Sequence, residues 1–193
     1  MRNFPIEPFG PQHDRLNFRC GNEALDRYFH ERIRREVEAK VAAAFVMADG
    51  PAVLCYYTLS AHSIERRALP EDVVKKLKLP KYPLIPATLM GRLAVDLKYQ
   101  GQRIGEILLM DGLERSYIHS SQVASFAVVV DAKENAVEFY RRYGFLQLPA
   151  GLRMFIPMET IKKLIGFPLR RAAVRRLRGV SGCMGRSCPS LGA

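Results

Sequence analysis

Residues 91–113, "GRLAVDLKYQGQRIGEILLMDGL", pass from an alternating apolar stretch through a glycine-punctuated polar loop into an amphipathic helix. Such a junction suits an anion. A helix starting near Ile104 leaves its first N–H groups without intrahelical partners, and glycines at 101 and 105 let a ligand approach the backbone. The helix dipole and Arg103 add positive potential, so phosphate or pyrophosphate is the natural guest. The loop has neither the G-x-x-x-x-G-K-[ST] order nor G-x-G-x-x-G, which sets aside the two familiar nucleotide-binding loops.

The elements around this junction alternate without a repeat. "RNFPIEPF" reads as a strand closed by Gly10-Pro11. In "CGNEALDRYFHERIRREVEAK", Asn22 can cap a helix whose Leu25, Phe29, Ile33 and Val37 recur on one face. "VAAAFVMADGPAVLCYYTLSAHSI" reads as a hairpin about Asp49-Gly50-Pro51. A basic, proline-punctuated segment at 65–87 holds a short helix in "EDVVKKLKL", and "PATLMGRLAVD" resumes strand character. "ASFAVVVDA" reads as a buried strand, "KENAVEFYRRYGF" as a helix stopped by Gly144, and "LRMFIPM" as a late strand. The pattern predicts an α/β (α+β) fold, with a mixed, mostly antiparallel central sheet flanked by helices.

At 193 residues the chain is sized for one domain plus a tail. The expected division is a domain at 1–167 and a basic, disordered tail at 168–193. The tail carries six arginines and no acid, leaving the body with 24 bases against 19 acids, or +5 of the overall +11. That balance favours an anionic partner. The proline- and acid-bearing N-terminus does not resemble a signal peptide, and no apolar run is long enough to span a bilayer, so a cytoplasmic protein is expected. Cysteines 20, 55, 183 and 188 form no paired CxxC knuckles, so free or buried thiols and no metal are expected.

The loop with its flanks, "GRLAVDLKYQGQRIGEILLMDGL" followed by "VDAKENAVEFYRRYGF", resembles the acetyl-coenzyme A core of the GCN5-related N-acetyltransferase (GNAT) superfamily. The pattern Gln/Arg-x-x-Gly-x-Gly/Ala is met by Gln100, Gly101, Gln102, Arg103, Ile104 and Gly105, with Arg103 where glycine is usual. Arginine is strained there if the position needs positive φ, and unstrained if it lies in the first helical turn. "FRCGNEALDRYF", "YYTLSAHSI" and "MGRLAVD" extend the resemblance to the acetyltransferase toxins of type II toxin–antitoxin modules, over about residues 15–158.

The resemblance implies acetyl-CoA as co-substrate and the α-amino group of aminoacyl-tRNA as acceptor. It also implies a ribbon-helix-helix antitoxin as partner and leaves room for a homodimer. The strand that carries Leu93, Ala94 and Val95 would splay from its neighbour, so that their backbone pairs with the pantetheine arm, and residues 100–105 would hold the pyrophosphate. Tyr140 would protonate the departing thiolate; a phenol with a reference pKa near 10 stays protonated at pH 7. Asn135 would orient the cofactor or cap its helix. His62, near a strand end, reads as structural. Candidate RNA contacts are Arg92 and the basic cluster Arg66, Arg67, Lys75 and Lys76, with Lys78 and Lys81 beside them. The helix at 22–38 is a candidate dimer or antitoxin interface through Tyr28 or through Arg32, Arg34 and Arg35. A general N-acetyltransferase of a small or protein amine, and a non-catalytic acyl-CoA- or RNA-binding module, are the competing readings.

Overall fold

The computed structural model of the chain describes residues 4–149 and 151–166; the tail at 168–193, with Cys183 and Cys188, lies outside them. Within the described residues one seven-stranded sheet runs in the order β1-β2-β3-β4-β5-β7-β6. The strands are β1 Ile6–Pro8, β2 Ala43–Asp49, β3 Ala52–Glu65, β4 Leu84–Val95, β5 Ala127–Asp131, β6 Leu146–Gln147 and β7 Arg153–Pro157. Every pairing is antiparallel except β4 with β5. The mixed, mostly antiparallel α/β class expected from the sequence is the one found. The two-residue β6 is too short to leave a sequence signature.

The helices are α1 Glu23–Glu31, α2 Ile33–Glu38, α3 Glu71–Lys76, α4 Ile104–His119, α5 Val137–Arg141 and α6 Met158–Gly166. Asn22 caps α1 by accepting from the Leu25 N–H, as its side chain allows. The single helix expected over this region is broken at Arg32. The His30 carbonyl just before it accepts from the Arg15 guanidinium at 2.6 Å. The apolar stripe survives the break, with Phe29 and Ile33 fully buried and Leu25 and Val37 packed beside them. Gly50, at φ 60°, makes the β2–β3 turn.

Three helices cover each face of the sheet. On one face α4, α5 and α6 bury Tyr57 and Met90 with Leu108, Leu113, Tyr140 and Ile161. On the other, α1 and α2 cover Tyr56 and Ala94, while α3 covers Ile64, Ile85 and Val129. Helix α6 was not anticipated, because its sequence runs directly out of β7 with no intervening turn signal. The helix expected in "KENAVEFYRRYGF" is a 3₁₀ turn, Glu134–Ala136, followed by the five-residue α5; Gly144, at φ 86°, ends the segment as expected. No helix among the described residues is long and apolar enough to cross a membrane.

Helix α4 lies close to the sheet because Gly112 has no side chain. A Cβ there would collide with Met90 Cε and come within 3.2 Å of Tyr57 Cε2. Tyr57 in turn donates to Asp111 at 2.5 Å, and Asp111 pairs with Arg115 at 2.7 Å, so the same helix is pinned by polar contacts. Overpacking of this kind costs about 1–3 kcal/mol. Gly112→Val is expected to lower unfolding free energy in urea by about that amount. Gly105→Ala, whose Cβ would meet Leu93 Cδ2 at 4.0 Å, an ordinary contact distance, is expected not to lower it.

Candidate active site

Strands β4 and β5 pair at only two positions, Thr88↔Val128 and Leu89↔Val129. Beyond them β4 continues to Val95 along β3, and β5 continues to Asp131 along β7. The central strands therefore part, and β4 residues 90–95, among them Leu93, Ala94 and Val95, have an unpaired edge toward β5. Buried backbone groups require partners, so this edge is suited to an extended, amide-bearing ligand.

Two residues turn the chain from β4 into the loop. Buried Asp96 accepts from the N–H groups of Arg19 at 2.9 Å and Lys98 at 3.0 Å, fixing the turn at Leu97–Tyr99. It belongs to the quoted "GRLAVD" motif, but sequence reasoning gave it no role; a carboxylate two residues before the N–H it accepts is the signal that was there to use. Gln100 Nε2 donates to the carbonyls of Val95 at 3.0 Å and Cys20 at 2.9 Å. Its side chain thus ties the loop to the strand end.

The N–H groups of Gly101, Gln102, Arg103, Ile104 and Gly105 donate to no other group among the described residues. Gly101 has φ +76° and Arg103 φ +60°. Arg103 is therefore the left-handed N-cap of α4, which settles the two conformations left open above in favour of the strained one. Its guanidinium is exposed and lies 3.1 Å from Glu106. Burial alone would raise the Glu106 pKa, but Arg103, a Tyr143 hydrogen bond and the Arg142 charge outweigh it and hold the carboxylate below its usual range. The end of α5 thus contacts the start of α4.

Tyr140 on α5 is 9% exposed and packs at 5.2 Å centroid distance against both Phe139 and Phe145. It shares one apolar cluster with Ile104, and Leu93 and Val95 pack against that cluster. Its hydroxyl has no hydrogen-bond partner among the described residues, and burial pushes its pKa up to about 12. Asn135 is exposed in the Glu134–Ala136 turn. No side chain caps that turn or α5, so the capping alternative for Asn135 is not realised. The described thiols are poor nucleophiles: burial pushes Cys20 to about 11, with help from Asp26, and Cys55 to about 12.

On the opposite face, alternation along β3 puts Thr58, Ser60 and His62 between the patch covered by α1–α2 and the patch covered by α3. His62 lies within β3 and not at its end, because β3 runs on to Glu65. Burial, then the Arg153 charge, lowers its pKa, so the ring is neutral at pH 7. Arg92 borders this row, its guanidinium 3.5 Å over the Tyr28 ring and 3.7 Å from Glu36. Tyr28 is 4% exposed and donates to Glu36 at 2.9 Å, so it is no surface for a partner. Among the other basic candidates, Lys75 pairs with Glu71 at 2.8 Å and Arg67 with Glu65 at 2.6 Å, while Lys76 is exposed and Arg66 half-buried. The basic cluster is away from the loop, at and below the Glu65 end of β3.

A family model for the acetyltransferase (GNAT) domain matches residues 87–158. The "Probable toxin TacT" of Sinorhizobium fredii is 33% identical to this chain over 173 residues, covering 83% of the chain and 94% of its own length. The structure of AtaT complexed with acetyl-methionyl-tRNAfMet is 31% identical with a TM-score of 0.77, covering 84% of this chain and 99% of that one. An AtaT variant bound to the C-terminus of the antitoxin AtaR and acetyl-CoA is 28% identical with a TM-score of 0.73, covering 86% and 100%.

Arg103 offers a direct test of the loop. Glycine relieves the left-handed strain while removing an exposed cation. Arg103→Gly is expected to leave the thermal midpoint unchanged or higher and to weaken coenzyme A binding, measured by calorimetry, by roughly two- to fivefold. A lower midpoint with unchanged affinity would contradict this account of the residue.

Proposed function

The chain belongs to the acetyltransferase (GNAT) family, and we propose that it is the toxin of a type II toxin–antitoxin module, acetylating the α-amino group of aminoacyl-tRNA. It is an acetyl-CoA-dependent N-acetyltransferase. The observation that carries the reading is the parting of β4 from β5 against a loop of free N–H groups, with the unpartnered Tyr140 hydroxyl in the adjoining cluster. The aminoacyl-tRNA acceptor is supported by the likeness to AtaT, whose complex holds acetyl-methionyl-tRNA, and by the chain's +11 charge.

In this reading the backbone of Leu93, Ala94 and Val95 pairs with the pantetheine arm. The N–H groups of residues 101–105, with the Arg103 side chain, hold the pyrophosphate, and Asn135 orients the bound molecule. Acetyl-CoA supplies a thioester whose carbonyl carbon forms the new C–N bond as the C–S bond breaks. Tyr140 gives its proton to the departing thiolate, and the amine loses one to water, from which the tyrosinate is restored. The described thiols are held protonated, which favours direct transfer over an acetyl-cysteine relay. A basic, partly neutralised surface suits RNA better than a polycationic amine, and this weighs against a general small-amine enzyme. Arg92, Arg66, Arg67, Lys75 and Lys76 are the proposed RNA contacts. The proposal extends to a cytoplasmic location, a ribbon-helix-helix antitoxin and a homodimer.

Transfer of radiolabelled acetyl to a total aminoacyl-tRNA pool, with deacylated tRNA and polyamines as controls, tests the reading. Label is expected on charged tRNA alone, and Tyr140→Phe is expected to reduce it at least about tenfold. Label on polyamines instead would favour the general-amine enzyme. The pH profile follows from the acceptor and Tyr140. The amine must be neutral, with a reference pKa of about 7.7–8.0, so kcat/KM is expected to rise toward pH 8 and level off. Tyr140 is needed protonated, and with its pKa raised to about 12 it is expected to add no falling limb up to pH 9.5. A decline between pH 8 and 9.5 in the wild type that is absent from Tyr140→Phe would contradict this.

A further inference from the structure

At the end of the β3–β4 pair farthest from the anion loop lies a pocket of about 430 Å³, lined by Glu65, Arg66, Arg67, Lys81, Tyr82 and Leu84 among others. Its size falls within the range of small-molecule sites and is ample for one nucleotide. Three of these side chains are cationic, against one acid. Arg67 is paired with Glu65 at 2.6 Å, but Lys81 has no ion-pair partner among the described residues, and the buried Arg66 Nε has no hydrogen-bond partner. A buried guanidinium nitrogen with nothing to donate to is costly unless a ligand acceptor reaches it.

Tyr82 adds a flat apolar face. It is 66% exposed, an unusual state for a large aromatic ring, and makes no ring contact among the described residues. It precedes Pro83, which disfavours helical backbone at Tyr82, and its ring stays exposed beside the pocket. An aromatic platform beside unpaired cations is the chemistry by which proteins hold single-stranded nucleic acid: the base stacks, and its phosphate meets the charge.

We propose that this pocket binds an unpaired nucleotide of the acceptor RNA, on the 5′ side of the nucleotide that carries the amino acid, with the base on Tyr82 and a phosphate between Arg66 and Lys81. This rests on the aminoacyl-tRNA reading. Position supports it. The strands part after Leu89, and the pocket sits at Leu84, five residues back along β4, or about 17 Å. The row of Ser60 and His62 on the intervening β3 gives the terminal aminoacyl nucleotide a polar track between the two sites. A single-stranded 3′ end, bound at its tip by the transfer site, reaches the pocket with a nucleotide further along.

Acetylation kinetics on two acceptors separate this from the parent reading. Aminoacyl-tRNA can occupy both sites, whereas an aminoacyl-adenosine is too short to enter the pocket. Tyr82→Ala is expected to raise KM for aminoacyl-tRNA at least about fivefold, with KM for aminoacyl-adenosine and for acetyl-CoA unchanged. Tyr82→Phe, which keeps the stacking face, is expected to stay within about twofold of wild type. Equal effects of Tyr82→Ala on both acceptors, or none on aminoacyl-tRNA, overturn the proposal. So does loss of antitoxin binding with unchanged RNA kinetics, which would make the occupant a protein. Fluorescence anisotropy of an RNA hairpin with an unpaired 3′ end is independent of turnover. Wild type is expected to bind it at least about fivefold more tightly than Tyr82→Ala, and to lose that margin when the overhang is removed. An unchanged margin refutes the pocket, whereas absent transfer to either acceptor by wild type refutes the parent reading.

Discussion

A strand in the middle of a sheet normally has both edges paired, and β4 does not. Two pairs with β5 are followed by six residues whose β5-side edge is open. Much of the molecule holds that gap in shape. Asp96 and Gln100 anchor the strand end to the N-terminal segment, α4 is drawn onto the sheet through Gly112 and the Tyr57–Asp111–Arg115 contacts, and α5 places Tyr140 in the cluster that Leu93 and Val95 join. A ligand with amide groups along an extended arm supplies what β5 withholds. In the proposed reading the loop at 101–105 receives its charged end.

The electrostatics divide the two sheet faces between two tasks. At the loop, positive potential comes from backbone N–H groups and one exposed arginine, whose charge Glu106 partly offsets. On the other face Arg92 is held by Tyr28 and Glu36, an arrangement that fixes its direction while leaving it half-exposed. Proton inventory follows burial: the described thiols and Tyr140 stay protonated, and His62 stays neutral, so the proposed chemistry rests on a phenol and on the acceptor's own ionisation.

The sheet's composition, the Asn22 cap and the β2–β3 turn were legible because they are local: a side chain, a glycine, a run of β-branched residues. The loop glycines were legible as turn positions for the same reason, and Tyr140 as a candidate because of its resemblance to a family motif. What escaped depends on distant partners. The break at Arg32 lies where Arg15, fifteen residues from His30, reaches the His30 carbonyl, a contact no local pattern announces. The positive φ of Arg103, between the anchored strand end and the packed helix, is announced by no propensity of arginine. Tyr28, expected as an interface residue of the helix at 22–38, is covered by Arg92 from β4. The depth of His62 within β3 depended on a strand longer than its apolar pattern showed.

The central claim is that the parted β4 edge and the loop after it form one cleft for acetyl-CoA. Amide hydrogen–deuterium exchange, compared with and without acetyl-CoA, reads that claim at the backbone groups concerned. The account predicts slowed exchange across residues 90–105, with the N–H groups of 101–105 among the most strongly slowed and those of β1 and β2 unaffected. Saturating acetyl-CoA that leaves 90–105 exchanging at the free rate, while protecting another segment, would contradict it.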